Sequence, residues 1–213
     1  MSVCGAHKLA RENGINTLLI DMRAHGKSEG HTLTFGIKER YDILDWISYL
    51  QNRFGKETPL FLAGVSMGAA TVLMTANLPL PNAVKGIIAD SPYTSPEEIV
   101  RSVIRKNHLP KNFFFPLVNQ SARLFGHVDL MCIDTRQTVK NSPVPILLIH
   151  GTGDDFVPYE MSREIQQANL EKIRLLLVDG APHGISYLAD TPAYEHAVLA
   201  FIKESLHPLR ISL

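Results

Sequence analysis

Cysteine is nearly absent: Cys4 and Cys132 are the two thiols in 213 residues. Their positions form no paired spacing, which excludes a disulfide framework and the ligand spacing of a structural zinc site. An excess of charge is missing too, because 21 Lys and Arg face 21 Asp and Glu. No overall field exists to recruit nucleic acid or an anionic membrane, and a small neutral or mildly polar substrate fits better. The first residues lack the apolar stretch of a signal peptide, and no apolar run approaches the length of a membrane span. A lipoprotein-type role for Cys4 fails for want of the same stretch, and we expect a soluble, cytoplasmic chain.

What is present is ordinary for a globular protein, with 45% apolar and 20% charged residues. The length suits one domain, residues 1–213, with room for a modest insertion. No internal repeat or low-complexity tract interrupts it.

Short apolar runs alternate with amphipathic helical patterns along the chain, the signature of a mostly parallel sheet with helices on both faces. Residues 5–13 read as a helix ending at Gly14, and 17–20 as a short buried strand ending at Asp21. From Thr34, Ile37, Tyr41, Leu44, Ile47, Leu50 and Phe54 recur at helical spacing until Gly55. Strands are expected at 59–65, 84–89, 144–149 and 173–178, with helices at 67–77, 158–168 and 192–206. Residues 93–141 join two strands with far more chain than a crossover needs. Val100, Val103, Ile104, the phenylalanines at 113–115, Leu117 and Phe125 give this stretch apolar faces. They suit a small helical cap over a pocket, or simply packing onto the sheet.

Gly64-Val65-Ser66-Met67-Gly68 fits G-x-S-x-G between an expected strand and helix. Such an elbow strains the serine backbone, exposes Oγ at a strand's carboxyl end and aims the Met67 N–H at any oxyanion formed there. A serine hydroxyl needs an imidazole to take its proton, and the imidazole needs a third group to fix its tautomer. Asp154 and Asp155 lie just past one later strand, and His183 just past the last. The order Ser66, Asp154, His183 is that of α/β-hydrolases and differs from the two other common serine-triad orders.

Four motifs together carry a resemblance. The turn Asp21-Met22-Arg23-Ala24-His25-Gly26-Lys27-Ser28-Glu29-Gly30, the elbow, the loop from Gly151 through Asp154 to Val157-Pro158, and Ala181-Pro182-His183-Gly184 occur in order. The chain resembles the α/β-hydrolase superfamily, in its serine-aminopeptidase-like and monoacylglycerol-lipase-like branch, with Ala24 where that branch usually has glycine. The resemblance implies Ser66 as nucleophile, His183 as base, Asp154 as orienting acid and Met67 as an oxyanion donor. Motif register favours Asp154 over Asp155, which is left as a loop carboxylate. His25 and His150 resemble structural turn histidines. His31, His108, His127, His196 and His207 show no ligand spacing, and neither a metal nor a cofactor is expected.

The resemblance also exposes a gap. Before Asp21 the chain has no His-Gly motif, the usual source of the second oxyanion donor. Its first helix corresponds to the one after that loop, so the usual N-terminal strands are expected to be lacking. Among them is the one that would separate 17–20 from 59–65. Those two segments then pair directly, leave a gap or borrow a strand from a partner, which makes self-association through an exposed sheet edge conceivable. We expect a truncated relative of a larger hydrolase that cleaves a carboxylic ester through an acyl-enzyme. The alternatives are an aminopeptidase, with Glu97 or Glu98 anchoring the substrate amine, and a catalytically impaired remnant.

Overall fold

Four runs rich in branched apolar residues become the four strands of one sheet in the computed structural model, which describes residues 2–207, with side chains from residue 7 onward. The Cys4 thiol therefore lies outside the described residues, and Cys132 is an exposed free thiol. Strands β1 (Leu60–Val65), β2 (Val84–Asp90), β3 (Ile146–Gly151) and β4 (Ile173–Val178) lie side by side in sequence order. Every pairing is parallel, with Val65 opposite Asp90, Asp90 opposite Ile149 and Gly151 opposite Val178. This is the α/β-hydrolase fold, in which all four carboxyl ends meet at one rim.

Alternation along the strands divides the core in two. Ile87, Ala89, Ile146, Leu148 and Ile173 pack on one face with Leu73 and Ile165. Those two come from helices α3 (Met67–Met74) and α7 (Glu160–Gln167), which flank the sheet with α2 (Glu39–Phe54). Ile88, Leu147, Ile149 and Val178 point to the other face. There they meet Leu9 of α1 (Ser2–Glu12), Tyr187 of α8 (Ser186–Ala189) and Phe201 of α9 (Thr191–Leu206). β3 is buried at every position, as a parallel strand covered on both sides should be.

Between β2 and β3 the chain forms α4 (Pro96–Lys106), α5 (Lys111–Ser121), a π-helical turn (Ala122–Gly126) and α6 (Thr135–Val139). A third apolar cluster lies beneath this segment, where Ile99, Ile104, Phe115 and Leu130 pack with Met74 and Val157. α4 starts as its sequence directs. Ser95 accepts from the Glu98 N–H, Pro96 occupies the first turn, acidic residues follow, and Arg105 and Lys106 stand in the last turn.

One expected element is corrected. Residues 17–20 are not a buried strand: they join no sheet, and Leu18 and Leu19 are 45% and 60% exposed. Only Ile20 packs against the core. A branched apolar run becomes a strand only where a neighbour supplies a ladder, and among the described residues no strand pairs with the outer edge of β1. Of the outcomes open to the two segments, direct pairing is not the one the chain adopts. The following turn is nonetheless built as its motif requires. The Asp21 carboxylate accepts from the Lys27 N–H, and a Cβ at Gly26 would meet that carboxylate at 2.2 Å. Ala24 takes φ +59°, a conformation that costs a non-glycine residue about 1–2 kcal/mol.

The two environments separate in unfolding experiments. Leu19→Ser should change urea-unfolding stability by no more than about 0.5 kcal/mol, as for an exposed surface site. Leu148→Ala, at a position with no exposure, should cost about 2–5 kcal/mol. A large loss at Leu19 would show that 17–20 is packed after all.

Candidate active site

The rim of the sheet gathers the residues that the sequence singled out. Ser66 follows β1 directly and opens α3 with φ +53° and ψ −115°, the strained backbone of a sharp strand-to-helix turn. Its two flanking glycines differ in necessity. A Cβ at Gly64 would lie 2.3 Å from the Gly68 carbonyl carbon and 2.7 Å from the Ala69 nitrogen, both backbone atoms that cannot yield. A Cβ at Gly68 would meet nothing within 4 Å, so only the first glycine is there for space. Because Met67 is the first residue of α3, its N–H has no intrahelical acceptor and belongs to the positive end of the helix dipole.

Asp154 and His183 come from loops after β3 and β4, and two glycines let those loops touch. A Cβ at Gly151 would sit 2.0 Å from the Ala181 carbonyl oxygen, and one at Gly153 would sit 2.5 Å from that of Gly180. Thr152 ties the loops further, donating to Asp179 at 3.0 Å and accepting from the Gly180 N–H at 2.8 Å. Close approach of backbone to backbone is thus what brings the carboxylate within reach of the imidazole.

The three side chains form a continuous chain of hydrogen bonds. Ser66 Oγ lies 2.8 Å from His183 Nε2, and His183 Nδ1 lies 2.6 Å from Asp154 Oδ2. The Asp154 carboxylate is buried, while the His183 side chain keeps 24% of its surface exposed. Phe156 packs edge-on against the imidazole with centroids 5.1 Å apart. Asp155 points away: its side chain is 83% exposed and pairs with Lys106 of α4 at 3.1 Å.

Burial alone would raise the Asp154 pKa, but donors surround the carboxylate and hold it well below the usual carboxylate range. They are His150, His183 and the Val157 N–H at 2.8 Å, with the Phe156 N–H at 3.0 Å. An ionised Asp154 is what a protonated His183 needs as a partner.

By sequence His150 resembles a turn histidine, and the structure gives it a more specific place. It is fully buried at the end of β3, with Nε2 3.2 Å from Asp154 Oδ2 and 2.9 Å from the Val157 carbonyl. Its Nδ1 lies 2.6 Å from Ser162 Oγ. Two acceptors around Nε2 require a proton there, so His150 donates from Nε2. The signal available in sequence was its place four residues before the acid at the end of an apolar strand. His25 does behave as a turn residue, exposed, with Nδ1 2.9 Å from the Arg23 carbonyl.

A second buried carboxylate, Asp90, escaped the sequence reading. Its carbonyl accepts the Ser66 N–H at 2.8 Å. Its Oδ1 accepts from Ser91 at 3.0 Å and from Ser186, three residues past His183, at 3.2 Å. Asp90 therefore braces both the serine's backbone and the histidine's loop. Its Oδ2 has no hydrogen-bond partner among the described residues, and burial pushes its carboxyl above the usual carboxylate range.

Comparison with known proteins agrees with this architecture. The family described as serine aminopeptidase, S33 matches residues 6–120, just over half of the chain. The chain belongs to the serine aminopeptidase S33 family. A TAP-like protein family matches residues 133–210. Among curated relatives, the uncharacterized protein YqkD of Bacillus subtilis is 26% identical over 190 residues, covering 89% of this chain and 62% of its own length. The uncharacterized protein YfhR of Escherichia coli K12 is 26% identical over 200 residues, covering 92% of the chain and 63% of its own. The S33 chain thus spans less than two thirds of the curated relatives it matches. Its fold is similar to the esterase Pf2001 of Pyrococcus furiosus, with TM-score 0.73, 24% identity and coverage of 94% and 75% of the two chains. It is also similar to Est1E of Butyrivibrio proteoclasticus, with TM-score 0.70, 22% identity and coverage of 96% and 83%.

Asp90 and Asp154, the two buried carboxyls of the site, should give stability slopes of opposite sign with pH. Raised in the folded chain, Asp90 binds its proton more tightly there than when unfolded. Its contribution is greatest below about pH 4 and is lost as pH rises through the folded value. Lowered in the folded chain, Asp154 stabilises above about pH 4 and loses that contribution as pH falls. Urea unfolding at a series of pH values should therefore show wild type losing ground to Asp90→Asn with rising pH, and to Asp154→Asn with falling pH. Parallel curves would contradict these assignments.

Proposed function

We propose that this hydrolase-family chain cleaves carboxylic esters by acyl transfer, with Ser66, His183 and Asp154 acting as a triad. The observation that carries the reading is the hydrogen-bonded relay from Ser66 Oγ through both His183 nitrogens to Asp154, at 2.8 and 2.6 Å. With Nδ1–H donated to the ionised carboxylate, Nε2 presents a lone pair to the serine hydroxyl. His183 takes the hydroxyl proton as Oγ attacks the carbonyl, then passes it to the leaving alkoxide. Water, activated by the same imidazole, releases the acid and restores the serine. The Met67 N–H stabilises the oxyanion, and loss of a second donor would cost about 10²- to 10³-fold in turnover. The reaction as drawn uses no cofactor. The helical segment between β2 and β3 is then the cap over the acyl site, with Lys106 joining it to the loop that carries the acid.

The arrangement favours an ester over the free amino terminus of a peptide. Both candidate amine anchors are already engaged, Glu97 with Arg101 at 2.8 Å and Glu98 with Arg136 at 2.9 Å and Thr94 at 2.6 Å. A substrate ammonium would have to displace an arginine from either.

Steady-state hydrolysis of a p-nitrophenyl ester and an aminoacyl anilide tests this. The ester should turn over and the anilide should not. Ser66→Ala and His183→Ala should fall to background, and Asp154→Asn should lower kcat about 10⁴-fold, the cost known for removing the orienting acid from a serine protease. Preferential cleavage of the anilide, or ester turnover surviving Ser66→Ala, would contradict the proposal.

A further inference from the structure

One aromatic beside the triad has no part in the acyl transfer as drawn. Phe156 lies in the loop after β3, two residues past Asp154, and its ring packs edge-on against His183 with centroids 5.1 Å apart. That ring is nonetheless 39% exposed. Its backbone surroundings, by contrast, are fixed on every side. The Phe156 and Val157 N–H groups both donate to Asp154 Oδ1, at 3.0 and 2.8 Å, and the Val157 carbonyl accepts from His150 Nε2 at 2.9 Å. The preceding residue is tied as well, since Lys106 Nζ donates to the Asp155 carbonyl at 3.3 Å and to its carboxylate at 3.1 Å. A loop held this closely presents its exposed ring in a set place, so a ligand meets it with little ordering cost.

Holding the imidazole does not account for the ring. His183 is already oriented through Nδ1 by Asp154 at 2.6 Å and through Nε2 by Ser66 at 2.8 Å. Core packing does not account for it either, because a ring placed for the core alone would be buried, as the neighbouring Val157 is. The chemistry of acyl transfer says which part of a substrate lies there. In the tetrahedral intermediate the carbonyl carbon is bonded to Ser66 Oγ, and its oxygen turns toward the Met67 N–H. As the bond to the alcohol oxygen breaks, His183 gives that oxygen the proton on Nε2, so the two lie within hydrogen-bonding distance. The group carried by the alcohol oxygen then extends alongside the imidazole, against which Phe156 packs. An aromatic alcohol gains most from this neighbour, because paired rings attract beyond the apolar area they cover.

We propose that Phe156 forms the leaving-group side of the site and selects esters of aromatic alcohols. The inference rests on the esterase reading and deepens it, by naming the alcohol portion that the site prefers. Because the alcohol departs before water attacks, the ring acts in formation of the acyl-enzyme and not in its hydrolysis. A ring that only shielded or braced the imidazole would aid both steps and every ester alike, since His183 serves in each. A leaving-group subsite aids the first step alone, and only for alcohols that pair with the ring.

Separate measurement of acylation and deacylation tests the proposal, using the full chain with phenyl and cyclohexyl esters of one acid. Dividing each variant's rate by that of wild type removes the intrinsic reactivity of the two alcohols. Phe156→Ala should lower kcat/KM for the phenyl ester about tenfold, the size of a lost apolar contact in a substrate pocket. The preference for phenyl over cyclohexyl should fall about fivefold in both Phe156→Ala and Phe156→Leu, and survive in Phe156→Tyr, which keeps the ring. Deacylation, followed as release of acid from preformed acyl-enzyme, should stay within about twofold of wild type in all three. Unchanged circular dichroism should accompany these effects. Should Phe156→Ala fail to fold, the leucine and tyrosine variants carry the same comparison. Equal losses for both esters, or deacylation falling together with acylation, would overturn the subsite and leave the esterase reading standing. A wild type with no Ser66-dependent turnover of either ester would instead overturn the esterase reading, and the subsite with it.

Discussion

Everything at this site depends on the contact between two loop backbones. Gly151 and Gly153 lie against the carbonyls of Ala181 and Gly180 at distances no side chain could share. That contact places Asp154 and His183, drawn from different strands, within 2.6 Å of each other. A parallel sheet supplies the setting, because only parallel strands end together at one rim. The glycines then convert a shared rim into hydrogen-bonding distance. Once the imidazole is held by Asp154, Ser66 needs only its own strained turn to meet Nε2.

Around this contact the structure spends buried polar groups freely. His150 completes the donor set of Asp154 and is itself held by Ser162, and both are buried. Asp90 links the backbone of the serine to the loop of the histidine, and one of its carboxylate oxygens has no hydrogen-bond partner among the described residues. Buried carboxylates cost free energy unless paired. One of the pair here is fully satisfied and held ionised, and the other is pushed toward its neutral form. Unequal environments for neighbouring acids are common where protons are moved.

Much of this was legible in the sequence. The four paired strands, the long helices and the order of Ser66, Asp154 and His183 follow from apolar periodicity and from turn chemistry that admits few residue types. Three features were not legible, for separate physical reasons. Residues 17–20 have a strand's composition, but a strand is defined by its neighbour, and composition does not report whether one is present. His150 and Asp90 act through partners more than ten residues away, Ser162 and Ser186, and nothing local marks such a pairing. The amphipathic character of residues 99–128 was visible as apolar faces, yet their outward direction appears only when Phe113 and Phe125 are seen in solvent while Phe115 is buried.

Covalent labelling measures the central claim, an activated hydroxyl at residue 66, most directly. A fluorophosphonate reacts with a serine whose proton is being withdrawn, and peptide mass mapping locates the adduct. The account requires the adduct on Ser66 of the folded wild type and its loss in His183→Ala with the fold intact. An adduct on another residue, none at all, or undiminished labelling without the imidazole would contradict it.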